Sequence, residues 1–127
     1  MPKELIRTRD APGAPFYSQA VKVGSTIYVS GMAGVDVATG KPAGDTIQAQ
    51  THQALVNCET ILEAAGATRA DIVDVLVMLA RPEDFAGLNE AYAKFFPEDQ
   101  PTRSVAKLGV DFPNILVAIK VVAVIAD

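Results

Sequence analysis

Ile115-Leu-Val-Ala-Ile-Lys-Val-Val-Ala-Val-Ile125 is a nearly unbroken apolar run whose one interruption is Lys120. A run of this length reads as a strand buried on both faces, central in a sheet or at a subunit boundary. Period-two geometry puts Leu116, Ala118, Lys120 and Val122 on one of its faces. A lone lysine there costs free energy unless it reaches water or a carboxylate. Just upstream, Gln100-Pro-Thr-Arg-Ser-Val-Ala-Lys-Leu108 reads as a second strand. Pro101 ends whatever precedes it, and Arg103 then stands at the strand mouth. The planar fork of an arginine so fixed can hold one carboxylate through two parallel charge-assisted hydrogen bonds. A solvated arginine at a strand end is the plainer reading of that nonapeptide.

Toward the N-terminus the pattern alternates between strands and helices. Asp71–Ala80 is rich in β-branched residues and short, hence a strand. Pro82-Glu83-Asp84 opens a helix with proline and acids where a first turn prefers them, and Phe85, Leu88, Ala91, Tyr92, Phe95 and Phe96 form its apolar stripe. An earlier helix runs from a cap at Asp45 or Thr46 to about Ala65, with Ile47, Ala54, Leu55, Cys58, Ile61 and Leu62 on one face and Gly66 closing it. Phe16–Val23 and Thr26–Ser30 read as a hairpin about Gly24-Ser25, and Lys3–Arg7 as a short leading strand. In Gly31-Met-Ala-Gly34 the two glycines allow close approach by a ligand, without dinucleotide or P-loop spacing. The sum is an α+β domain over residues 1–127, a mixed sheet with both helices on one face.

Composition narrows the function. The chain has 127 residues, is 50% hydrophobic and carries a net charge of −4. That surplus of apolar residues points to surface covered by other subunits. No basic stripe is present, which disfavours nucleic acid as a partner. Cys58 and His52 are the single cysteine and histidine, too few for a zinc site, so neither a metal nor a cofactor is expected. Cys58 reads as a small core residue and His52 as a partly exposed structural one. The paired acids Glu83/Asp84 and Glu98/Asp99 suit a helix start and a solvated loop better than catalysis. The first residues lack the apolar segment of a signal peptide, and no run reaches membrane-spanning length, so a cytoplasmic domain with no membrane partner is expected.

Several segments together resemble the RidA/YjgF family of imine and enamine deaminases, once described as L-PSP endoribonucleases. They are Tyr17-Ser-Gln-Ala-Val21, Val29-Ser-Gly31, Ile61-Leu-Glu-Ala-Ala-Gly66, Asn89-Glu-Ala-Tyr92, Phe95-Phe96 and Pro101-Thr-Arg-Ser104. The resemblance spans nearly the whole chain. It implies a fold like chorismate mutase of the Bacillus type, assembled as a homotrimer around a barrel, with a small carboxylate-bearing ligand bound at each subunit interface. It implies that Arg103 holds the substrate carboxylate and that Tyr17, Ser30, Gly31 and Asn89 line the pocket. It also implies hydrolysis of a 2-imino acid to a 2-oxo acid and ammonia.

The chain departs from that family's pattern where acid–base chemistry is expected. The glutamate of active deaminases falls at Ala118, and a second common glutamate at Lys120. Met32 replaces a frequent glutamine, and Val105 a frequent cysteine, though the family uses the backbone carbonyl there to hold water. A buried lysine can lose its proton near neutrality, which makes Lys120 a candidate base. The plainer reading has Lys120 paired with another subunit's acid or lining the trimer's solvated centre. Three functions compete: a deaminase with altered proton transfer, a trimer that binds a small carboxylate without turnover, and, least favoured, a ribonuclease.

Overall fold

The computed structural model of the chain describes residues 2–126, so Met1 and Asp127, the ends of the expected domain, lie outside the described residues. Among these residues nine strands and two α-helices follow in the order β1 (Lys3–Ile6), β2 (Ala20–Val23), β3 (Thr26–Val29), β4 (Met32–Ala33), β5 (Val35–Asp36), β6 (Lys41–Pro42), α1 (Ile47–Ala64), β7 (Ile72–Leu79), α2 (Phe85–Phe95), β8 (Thr102–Lys107) and β9 (Val117–Val124). The main sheet runs β1-β2-β3-β9-β7-β8, with β4 also pairing β9. It is mixed: β7 and β8 are parallel, joined through α2, and the other pairings are antiparallel. A parallel pair needs such a crossover, whereas β2 and β3 are joined by a tight turn in which Gly24 takes a φ of +59°.

The apolar run at the C-terminal end therefore lies at the centre of the sheet, between β3/β4 and β7. Its alternation is strict. Val117, Ile119, Val121 and Ala123 are fully buried beneath the helices, while Ala118, Lys120 and Val122 are half-buried and Val124 is exposed. The expectation of burial on both faces is corrected to one face within a single chain. Both helices cover the same side, and among the described residues no helix covers the other.

Helix α1 starts where the sequence predicts, with the Thr46 hydroxyl accepting the Ala49 N–H at 3.1 Å. Gly66, at φ +89°, follows its end. The predicted stripe is buried, and so are three polar residues on it, Gln50, Thr51 and Asn57. Gly34 lies against the backbone of Gln50, so an added Cβ would run into the Gln50 carbonyl oxygen. That glycine serves helix packing rather than the ligand approach expected of it.

Two local expectations also need correction. The strand expected from Phe16 begins at Ala20, because the buried Gln19 side chain bonds Thr8, Ala11 and Pro12 and ties Pro12–Gln19 into a loop, leaving Phe16 at 92% exposure. Phe85 is 45% exposed instead of joining the α2 stripe, whose other members are buried. The segment from Val35 to Pro42 forms the small β5–β6 hairpin.

Candidate functional site

The residues that the sequence nominates fall into two groups on one chain. The first lies at the free edge of the sheet, where β8 is the last strand. Arg103 is half-buried there and points toward α2. Its Nη1 donates to Asn89 Oδ1 at 2.7 Å, and its guanidinium carbon stands 4.8 Å from the Tyr92 ring centroid and 5.8 Å from that of Phe85. Asn89 and Tyr92 project from one face of α2 at i, i+3 spacing, so the helix sets where the guanidinium sits. Burial pushes the Tyr92 phenol above its ordinary value, and the neighbouring Arg103 charge partly offsets this. Val105, two residues along β8, opens beside Arg103 onto a shallow apolar cleft that Phe85, Leu79 and Pro82 also line. The remaining Arg103 N–H groups make no hydrogen bond among the described residues.

The second group lies around β4 and the start of β9. Tyr17, Gly31 and Ala118 share a cleft of about 280 Å³ whose other walls come from Met32 and Val35 on one side and Phe112 and Ile115 on the other. Ser30 flanks it, but its hydroxyl is already engaged, donating to the Ser18 carbonyl at 2.6 Å. Lys120 projects from the same strand face as Ala118, and its ammonium donates to the Val29 carbonyl at 3.1 Å. Among the described residues no carboxylate stands within ion-pair distance of it.

The two groups cannot meet on one small ligand of one chain. Ala118 pairs with Met78, and Met78 with Ala106 on β8. Arg103 lies three residues before Ala106, an odd offset, so its side chain leaves the opposite face of the sheet. Strands ~4.8 Å apart with a rise of ~3.3 Å per residue put the two Cα positions about 14 Å apart.

Buried amides, to which apolar periodicity is blind, support both the cleft and the loops around it. Gln50 donates to the Gly44 and Asn114 carbonyls and accepts the Leu116 N–H at 2.8 Å, which pins the segment carrying Phe112 and Ile115. Asn57 donates to the Ala33 and Val35 carbonyls and holds the opposite wall. Their signal in the sequence is a polar residue at a stripe position of α1, three and four residues from apolar neighbours: Gln50 between Ile47 and Ala54, and Asn57 between Ala54 and Ile61. Among the described residues no group of three or more His, Cys, Asp or Glu side chains is placed to hold a metal ion. No helix among them is long and apolar enough to cross a membrane.

Comparison with known proteins extends these observations. A family model described as Endoribonuclease L-PSP matches residues 8–125. The chain is 38% identical over 123 residues to the chloroplastic Reactive Intermediate Deaminase A of Arabidopsis thaliana, covering 95% of this chain and 65% of that protein, so it spans about two thirds of that relative. It is 36% identical over 124 residues to the human 2-iminobutanoate/2-iminopropanoate deaminase, covering 96% of this chain and 90% of that one. Among solved structures, that of E. coli TdcF with bound serine superposes with a TM-score of 0.89 at 33% identity, over 97% of this chain and 99% of that one. The chain belongs to the Endoribonuclease L-PSP family, which includes the proteins called RidA and YjgF.

Proposed function

We propose that this protein hydrolyses a small carboxylate-bearing 2-imino acid to a 2-oxo acid and ammonia, in sites completed between copies of a homotrimer. The observation that carries the reading is the division just described. A half-buried arginine braced by Asn89 lies at a free sheet edge, while the Tyr17/Gly31/Ala118 cleft lies on the other side of the sheet. Arg103 of one copy, set against that cleft on the next, makes one site from two incomplete ones. Arg103 then holds the carboxylate, and the imine carbon faces the cleft. Water adds to that carbon, the nitrogen takes up a proton, and the carbinolamine expels ammonia as its hydroxyl proton leaves. Lys120 is the one titratable side chain of β9 and stands on the face of Ala118, which makes it the first candidate for handling those protons.

A second reading is favoured by one observation: no carboxylate lines the cleft among the described residues. General acid–base help is worth about 10²–10⁴ in rate, and its loss leaves a trimer that binds a small carboxylate without turnover. Ammonia release from freshly generated 2-iminopropanoate and 2-iminobutanoate separates the two. The deaminase reading predicts a rate clearly above buffer, reduced at least about 30-fold by Arg103→Ala. A wild-type rate equal to buffer, with activity gained in Ala118→Glu, overturns it in favour of binding.

A further inference from the structure

We propose that the cleft above Ala118 receives a bulky apolar side chain of the substrate, an aryl group in particular, and that Ala118 is the residue that admits it. This deepens the function proposed above and rests on it.

Three observations carry the inference. The first is chemical. Met32, Val35, Phe112, Ile115 and Ala118 line the cleft beside the ring of Tyr17, and no Asp, Glu, Lys, Arg or His is among the lining residues. Water in such a place finds few hydrogen-bond partners, so an apolar group that displaces it gains affinity. The second is size. On the single chain the cleft measures about 280 Å³, and an engineered apolar cavity of about 150 Å³ already holds benzene. A methyl or ethyl side chain leaves most of it unfilled, and a phenyl ring fills it far better. Ala118 sets that space, since any longer side chain at this position projects into the cleft from its floor.

The third observation is that the cleft is preformed. Gln50 fixes the Phe112–Leu116 segment through Asn114 and Leu116, and Asn57 fixes Ala33 and Val35. A ligand entering it therefore orders little of the protein, and apolar burial goes into affinity rather than into ordering loops. The ligand class follows: a 2-imino acid whose carboxylate lies on Arg103 and whose side chain is aromatic.

Direct binding tests this without the unstable imine. Calorimetry compares 3-phenylpropanoate with propanoate on the full-length protein. In parallel, ammonia release compares imines generated from phenylalanine and from alanine. The expected result is a preference of about tenfold to a hundredfold for the aryl compound in both measurements, the range for burying one large apolar group. Ala118→Leu reduces that preference at least about tenfold, and Val35→Phe, which fills the cleft from another wall, does the same if Ala118→Leu fails to fold. Equal binding of the two acids, both abolished by Arg103→Ala, overturns the aryl subsite while the carboxylate clamp stands. No binding of either acid together with no ammonia release overturns the subsite and the deaminase reading alike.

Discussion

Two faces of one strand, β9, carry different burdens. Val117, Ile119, Val121 and Ala123 are fully buried against the helices, whereas Ala118, Lys120, Val122 and Val124 look out from the side that carries no helix among the described residues. The first set is packed as a core is packed, and each member contributes to whether the chain folds. The second holds the floor of a cleft and a lysine bound to a backbone carbonyl, neither of which the fold requires. Residues one position apart thus separate the core from the candidate site. Period-two geometry imposes the separation, and the placement of both helices on one side makes it visible.

Substitutions that respect or violate this division test it, and the largest effect is expected on the covered face. Ile119→Asp places a carboxylate with no partner in the core and abolishes folding, while Ile119→Ala costs about 2–5 kcal/mol in denaturant unfolding. A soluble, folded Ile119→Asp protein contradicts the assignment of that face. Gln50→Leu comes next. It leaves the Leu116 N–H and the Gly44 and Asn114 carbonyls without their partner and costs about 2 kcal/mol. Because the segment it pins bears a wall of the cleft, KM rises as well; unchanged KM separates that wall from the site.

On the open face, Lys120→Met removes one hydrogen bond to Val29 and changes unfolding stability by about 1 kcal/mol or less. A loss as large as that of Ile119→Ala erases the contrast between the faces. The smallest effect concerns Cys58, where burial pushes the thiol from 9.0 to about 12, against a small opposing pull from Lys120. A raised acid contributes its stability below its ordinary value and loses it as pH climbs from 9.0 toward about 12. At pH 8 the thiol stays protonated and enclosed, so alkylation proceeds only as fast as unfolding. Rapid labelling of the native protein contradicts this.

How much of this was legible beforehand differs between the two faces. Core packing follows residue periodicity, so the stripe of α1, the strand at Ile72–Leu79 and the central position of β9 can be read from residue types alone. Arg103 and Asn89, both nominated from the sequence, lie within hydrogen-bond distance of each other. Side-chain amides bonded to distant backbone escape a reading by periodicity. The loop from Pro12 to Gln19 depends on one glutamine with four such bonds, and a local pattern of alternation predicts a strand there instead. Phe85 departs from the stripe for a related reason: helical spacing assigns a residue to a stripe without saying where the sheet beneath that stripe ends.

The central claim is that the arginine half and the cleft half of each site come from different copies of the chain. Subunit mixing tests it most directly. Arg103→Ala and Ala118→Trp, each inactive alone, are unfolded together at equal concentration and refolded, and ammonia release from 2-iminopropanoate is measured. In a closed ring of randomly mixed copies, a site is intact when its arginine comes from the Ala118→Trp chain and its cleft from the Arg103→Ala chain, which gives about a quarter of wild-type activity. Recovery near that level is the result predicted. A mixture no more active than the two variants assayed separately places both halves of the site on one chain and contradicts the account.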